Sequence, residues 1–173
     1  HWSYLIPEEV FINFKCVVFH MTDLPFGRGG SPLQNLIKAG FKRTKISALK
    51  VEKGIDTGDI YLKKDLSLEG TAREIFEKSS IIIKNMIIEI LTKKINPIPQ
   101  LGEATNYRRL NPEDGILNEL NDLEIVYNYI RMLDCDSYPL AYVETDNLKF
   151  EISNAKYNKK SKLINANVRI LKK

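Results

Sequence analysis

Cys16, Val17, Val18 and Phe19 form a short apolar run that ends at His20. A continuous run with β-branched members predicts a buried strand over residues 15–20. Residues 21–30 hold one proline and three glycines and predict a loop. Ser31-Pro32 then opens a helix, with serine as N-cap and proline in the first helical position. Leu33, Leu36 and Ile37 give that helix a buried face, and Gly40 closes it. Strands follow over 46–51 and 60–66, separated by the turn-rich segment 52–59. Thr71-Ala-Arg-Glu74 has capping-box spacing, in which hydroxyl and carboxylate satisfy each other's main-chain N–H. The helix it opens is predicted to run to Lys94. Ile75, Phe76, Ile82, Ile83, Met86, Ile87, Ile90 and Leu91 recur along it at helical period, which predicts a face packed flat on a sheet.

Asn96-Pro-Ile-Pro99 ends that pattern. Residues 100–116 are irregular and polar and read as a linker. A helix is predicted over 122–133, with Leu123, Val126, Ile130 and Leu133 inward. Alternating runs at 140–144, 148–153 and 163–171 predict three antiparallel strands, with Asp146-Asn147 turning the first into the second. The chain therefore reads as α/β. Residues 1–99 form the larger domain, and 117–173 form a small C-terminal helix plus antiparallel β appendage.

Composition narrows the class. With 173 residues, 43% hydrophobic and 28% charged, the chain is that of a globular protein. Disorder, collagen and a disulfide-stapled miniprotein are excluded. The densest apolar stretch, 81–91, is broken by Lys84 and Glu89, which argues against a membrane span. Cys16 and Cys135 are far apart and fit no metal-ligand spacing, and no signal-peptide pattern opens the sequence. Both features lead us to expect a cytoplasmic location and no metal. The net charge of +4 is uneven: residues 147–173 carry eight Lys/Arg and one acid, Glu151, a net +7. On charge alone this tail is either a solvated lysine-rich surface or a dock for an anion.

Chemistry concentrates in two loops. The first carries His20, Thr22, Asp23 and Arg28; the second carries Gly54, Asp56, Gly58 and Asp59. Both are expected at the carboxyl ends of strands, where open α/β sheets gather ligands. A histidine and an aspartate meeting there make an imidazole–carboxylate pair, the carboxylate orienting the ring and stabilising its protonated form. Taken singly, a histidine at a strand end is often structural and Asp-Thr-Gly-Asp is often a turn. The residues by themselves lead to a His/Asp cleft in an α/β domain.

His20-Met-Thr-Asp-Leu-Pro25-Phe-Gly-Arg28-Gly29-Gly-Ser-Pro32 resembles the His-x-Ser-x-Leu-Pro-x-x-Arg-Gly-x-x-Pro signature of the folate-dependent formyltransferases. Gly54-Ile-Asp56-Thr-Gly-Asp59 resembles the second catalytic loop of that family, and the 36-residue separation of His20 and Asp56 matches as well. Trp2-Ser-Tyr-Leu-Ile-Pro7 is similar to the segment lining the folate pocket. Asn106-Tyr-Arg-Arg-Leu-Asn-Pro112 is similar to the linker of the methionyl-tRNA and sugar enzymes, and Arg131-Met-Leu with Tyr138-Pro139 to the start of their C-terminal domain.

The resemblance implies a partial Rossmann-like domain with a parallel-rich sheet and flanking helices. It implies formyl transfer from 10-formyltetrahydrofolate to a primary amine, without a metal. The acceptor it implies is initiator Met-tRNA or, alternatively, a nucleotide-linked amino sugar. His20 and Asp56 become the catalytic pair. Trp2, Tyr4, Leu5, Ile6, Gly54, Ile55 and Asp56 become the donor site; Thr22, Arg28, Gly29, Gly30, Arg108, Arg109 and Arg131 become the acceptor side.

Three departures stand out. The family has asparagine two residues before the histidine, where this chain has Val18, expected buried at the strand end. Valine offers no donor to an oxyanion, so a catalytically silent binding module is a second expectation. The βαβ units that open the family's domain have no counterpart before Trp2. The C-terminal part has fewer strands than the tRNA-binding barrel of the methionyl-tRNA enzymes.

Overall fold

The computed structural model describes residues 5–136 and 138–173. Helix α1 (Glu8–Asn13) follows Pro7 and carries Glu8 and Glu9 in its first turn, where negative charge suits the helix dipole. The sequence pattern gave no sign of it, because six residues are too few to show a period. Strand β1 (Val17–His20) comes next, then the two-residue β2 (Arg28–Gly29) and helix α2 (Pro32–Lys38). Proline opens α2 as expected, although Ser31 has φ 47°, not the extended conformation of an N-cap. Gly40 (φ 80°) closes it, and the Phe41 N–H donates back to the Leu36 carbonyl.

Strands β3 (Arg43–Lys50) and β4 (Ile60–Ser67) complete a sheet of order β1-β3-β4. β1 pairs β3 antiparallel, with Val18 opposite Leu49 and His20 opposite Ser47. Parallel pairing appears where β2 meets β5 (Asn106–Tyr107). Leu24, Leu49 and Ile60 form a buried cluster, and Val18 packs against it half-buried.

Helix α3 (Ala72–Lys93) opens on the expected capping box: Thr71 N–H donates to Glu74 Oε2 at 2.8 Å, and Glu74 N–H to Thr71 Oγ1 at 3.3 Å. Ile75 and Met86 are buried, but Ile87 is 42% and Leu91 73% exposed, contrary to the predicted stripe. At 3.6 residues per turn Ile87 and Leu91 lie about 100° and 140° around the helix from Met86, so the apolar set is too wide to face one way.

Helix α4 (Leu123–Leu133) is capped by Asp122, which accepts from the N–H groups of Glu124 and Ile125. Ile130 and Leu133 are buried as expected; Leu123 is exposed, and Asn128 and Arg131 are buried. Strands β6 (Ala141–Glu144), β7 (Leu148–Asn158) and β8 (Leu163–Lys172) form an antiparallel sheet, with a register shift between Ser153 and Lys156 near the left-handed Asn154. The turn between β6 and β7 falls where Asp146-Asn147 placed it.

The chain gathers into two compact units, interleaved in sequence. One takes the chain up to Pro32, Arg43–Leu66 and Lys78–Arg108; the other takes Leu33–Lys42, Ser67–Glu77 and Arg109–Lys173. The mixed α/β class stands. The first part of the segment read as a linker belongs to the first unit, through β5.

Gly58 fixes the connection between β3 and β4. A Cβ there would lie 1.9 Å from the Lys50 carbonyl oxygen, closer than any real contact. The Lys50 N–H meanwhile donates to the Asp59 carbonyl at 2.8 Å, so the two segments cannot separate without losing a hydrogen bond. Gly58→Ala should lower stability by about 2–3 kcal/mol, read as a shift in the thermal or urea midpoint. A variant as stable as the parent would show that this connection is not held at its observed spacing.

Candidate active site

His20 is the last residue of β1 and is 7% exposed. Its Nε2 donates to the Gly27 carbonyl at 2.7 Å, and its Nδ1 lies 3.4 Å from Asp56 Oδ2. Both ring nitrogens thus face oxygen acceptors. The carbonyl places a proton on Nε2, while Nδ1 turns to the carboxylate. Thr22, fully buried, donates to the same Gly27 carbonyl at 3.3 Å. It holds the loop and does not reach Asp56.

Asp56 presents its carboxylate from a left-handed backbone, φ 54°. That conformation costs an L-residue roughly 1–2 kcal/mol, least for Asp and Asn. The same Oδ2 that faces His20 accepts the Gly29 N–H at 2.9 Å. Gly29 itself has φ 97°, and a Cβ there would lie 2.5 Å from the Tyr107 carbonyl oxygen. Only glycine lets this backbone come so close to β5 while turning its N–H to the carboxylate.

The rest of the first loop is stitched down by segment 100–107. Gly27 N–H donates to Thr105 Oγ1 at 2.8 Å, Arg28 N–H to the Thr105 carbonyl at 2.9 Å and Gly30 N–H to the Tyr107 carbonyl at 3.1 Å. The Tyr107 ring meets Phe26 edge-on at 5.7 Å, and burial pushes its phenol pKa up. Arg28 donates from Nε and Nη2 to Gln100 Oε1. On the sheet side, Ser47 Oγ donates to the Thr22 carbonyl at 2.7 Å and accepts the Leu24 N–H at 3.2 Å. Lys63 Nζ donates to Asp23 Oδ1 at 2.5 Å and to the Leu24 carbonyl, and Lys45 pairs with Asp23 at 3.1 Å.

The structure brings His20, Thr22, Arg28, Gly29, Gly30 and Asp56 together. Gly54 (φ 109°) and Ile55 lie in the second loop, and the Ile55 side chain is 58% exposed. Leu5 is exposed and Ile6 half-buried, while Trp2 and Tyr4 lie outside the described residues. Arg108 and Arg109 are exposed.

Arg131, expected on an electrostatic dock, is 3% exposed. Its Nη1 donates to the carbonyls of Leu68 and Gly70 and its Nε to Asn128 Oδ1. Burial lowers its pKa from the ordinary arginine value, with the Tyr127 and Glu124 charges acting the other way. It lines a cavity of about 320 Å³ with Lys42, Tyr127, Tyr157 and Lys159, and Glu124 pairs with both lysines. The residues that sequence reasoning missed are Ser47, Lys63, Gln100 and Thr105. Ser47 and Lys63 lie in predicted strands, where the pattern marks them only as polar positions, and Gln100 and Thr105 fall in the stretch read as linker. Among the described residues no group of three His, Cys, Asp or Glu side chains is placed to hold a metal ion.

Comparison with known proteins gives this arrangement a context. A family described as the C-terminal domain of methionyl-tRNA formyltransferase matches residues 112–171. Methionyl-tRNA formyltransferase of Thermodesulfovibrio yellowstonii is 33% identical over 135 residues, 73% of this chain and 44% of that protein. The chain thus spans about half the length of the curated relatives it matches. Among solved structures, methionyl-tRNA formyltransferase from Clostridium thermocellum superposes with a TM-score of 0.95 at 55% identity, covering all of this chain and 76% of that one. The N-formyltransferase from Helicobacter canadensis in complex with folinic acid and dTDP-3-aminofucose shares the fold, with a TM-score of 0.61 at 18% identity over 83% of this chain and 59% of that one.

The Asp23 contacts predict a pH signature. Burial alone raises the Asp23 pKa, but the hydrogen bonds and charges of Lys63 and Lys45 outweigh it and hold the carboxyl below the ordinary 3.8. A depressed carboxyl contributes stability above its unfolded value and loses it as pH falls through the folded one. Asp23→Asn should therefore melt earlier than the parent at pH 7, with the gap closing as pH drops below 3.8. A gap of the same size at pH 2 and pH 7 would remove the ion pairs from the account of this loop.

Proposed function

The chain belongs to the methionyl-tRNA formyltransferase family, and on that footing we propose that it transfers a formyl group from 10-formyltetrahydrofolate to a primary amine. The observation that carries this reading is the buried His20 ring facing the Asp56 carboxylate at 3.4 Å between two glycine-rich loops. The second loop also fits the donor: exposed Ile55, next to Gly54, offers apolar surface to a pterin ring directly beside Asp56. The donor site is assigned to Gly54, Ile55 and Asp56 together with Trp2, Tyr4, Leu5 and Ile6 of the similar N-terminal segment.

When bound, the donor supplies the electrophilic formyl carbon. As the amine adds, negative charge gathers on the formyl oxygen, and a His20 N–H donated to that oxygen stabilises it. Nε2–H now rests on the Gly27 carbonyl; catalytic hydrogen bonds often settle only in the substrate complex. Asp56 holds the ring through Nδ1 and takes the amine proton directly or through a water; as the bond between the formyl carbon and the donor nitrogen breaks, that proton passes to the departing nitrogen. Gly29 and Gly30 let the acceptor approach the backbone.

Initiator Met-tRNA is the acceptor this reading puts first, supported by the name of the 55% identical relative. A nucleotide-linked amino sugar is the alternative, supported by the shared fold of the Helicobacter enzyme. Exposed Arg108 and Arg109 suit the phosphates of either acceptor, whereas Arg131 serves as a brace. The reading places the protein in the cytoplasm, consistent with Cys16 and Cys135 lying outside any disulfide among the described residues. No helix among the described residues is long and apolar enough to cross a membrane. Val18 favours a second reading, a binding module without turnover, because an apolar side chain, half-buried against Leu24, Leu49 and Ile60, stands where the family carries an amide.

The test is a formylation assay of the whole protein with Met-tRNA and with a panel of nucleotide amino sugars. Either His20→Ala or Asp56→Asn should reduce turnover by about 100-fold or more with little change in melting temperature. Turnover on sugars alone would reverse the order of acceptors. Donor binding without transfer to any acceptor would establish the silent module instead.

A further inference from the structure

Asp56 must keep a left-handed backbone while its carboxylate serves both His20 and the Gly29 N–H. Gln100 holds that backbone. Its Nε2 donates to the carbonyl of Asp56 and to the carbonyl of Gly58, each at 2.8 Å. Its Oε1 accepts from Arg28 Nε at 3.2 Å and Nη2 at 2.8 Å. All four hydrogen-bonding positions of the amide are filled. Its orientation is set by chemistry: a guanidinium only donates and a carbonyl only accepts, so the reversed amide would face like against like at both ends. Gln100 is itself anchored two residues after Ile98, whose N–H and carbonyl both bond Ile60 of β4.

We infer that Gln100 is a positioning residue for the His20–Asp56 pair. It couples the two loops through a single rigid amide, with the Arg28 end in the first loop and the Asp56 end in the second. Its consequence for turnover rests on the formyl-transfer reading; its hydrogen bonds do not. The choice of glutamine over glutamate identifies the end that matters. A carboxylate would bind Arg28 more strongly, with charge assistance and two oxygens. It would repel both carbonyls. The chain therefore gives up the stronger arginine contact to keep its donors on Asp56 and Gly58.

Gln100→Glu and Gln100→Met separate the possibilities. If Gln100 only anchored Arg28, Gln100→Glu would match the parent and Gln100→Met would not. If it positions Asp56, both variants should lose kcat by about tenfold or more with KM for the acceptor little changed, as expected for displacement of a reacting group. A second measurement needs no activity. Hydrogen exchange by NMR on this chain compares Gly29 N–H, held by Asp56, with Arg28 and Gly30 N–H, held by Thr105 and Tyr107. In Gln100→Glu the Gly29 amide should exchange about tenfold faster while its two neighbours hold. Parental kcat and parental Gly29 exchange in Gln100→Glu would overturn the inference. Failure of both variants to fold would overturn it too, by making Gln100 a determinant of the fold. Absence of transfer by the parent would defeat the formyl-transfer reading, and the Gly29 exchange would still decide for or against Gln100.

Discussion

A loop without a ladder of its own must find partners for every buried main-chain group, and here two such loops face each other. A buried carbonyl or N–H left alone costs about 1–3 kcal/mol, so the loops hold a single geometry only where something outside them supplies the missing donors and acceptors. The suppliers are few. Ser47 on β3 serves Thr22 and Leu24, Thr105 serves Gly27 and Arg28, Lys63 serves Leu24, and Gln100 serves Asp56 and Gly58. The His20–Asp56 pair rests on this framework, because each member is fixed by a main-chain contact as well as by the other.

Polar satisfaction also decides what happens in the second unit. Arg131 is buried against carbonyls and Asn128 with Tyr127 beneath it, 5.7 Å from guanidinium carbon to ring centroid. Burying a cation is tolerable only when its donors are used. The basic tail is likewise less free than its sequence suggests. Lys149 and Arg169 pair with Glu151, Lys159 with Glu124 and Lys173 with Glu144. The pull of Arg169, partly opposed by burial, holds the Glu151 carboxyl below its ordinary range. Half of the tail's positive charges are thereby spent within the unit.

The legible parts of the structure were those that local chemistry encodes. The Thr71–Glu74 box, the Gly40 stop, the start of a helix at Asp122 and the turn before β7 each need only neighbours in sequence, and each appears in place. His20 and Asp56 were nameable because their motifs are local even though their meeting is not. What pattern reading missed depends on partners far along the chain. β2 and β5 are two residues each and exist only because they meet. Gln100 carries no period, and its partners lie 42 to 72 residues away. The inward face of α4 was misjudged for a similar reason, since nothing in its own sequence reveals the Leu68 and Gly70 carbonyls that make an arginine welcome inside.

Position 56 illustrates how narrow such a site becomes for variation. Its φ of 54° admits glycine, asparagine and aspartate with least strain, and the proposed transfer asks for a side chain that can take a proton. Glutamate meets the second demand and not the first; asparagine meets the first and not the second; glycine offers no side chain. Of the twenty residues only aspartate meets both. Drift at this site is therefore confined to its surroundings, where a new supplier of hydrogen bonds can replace an old one while the aspartate stays.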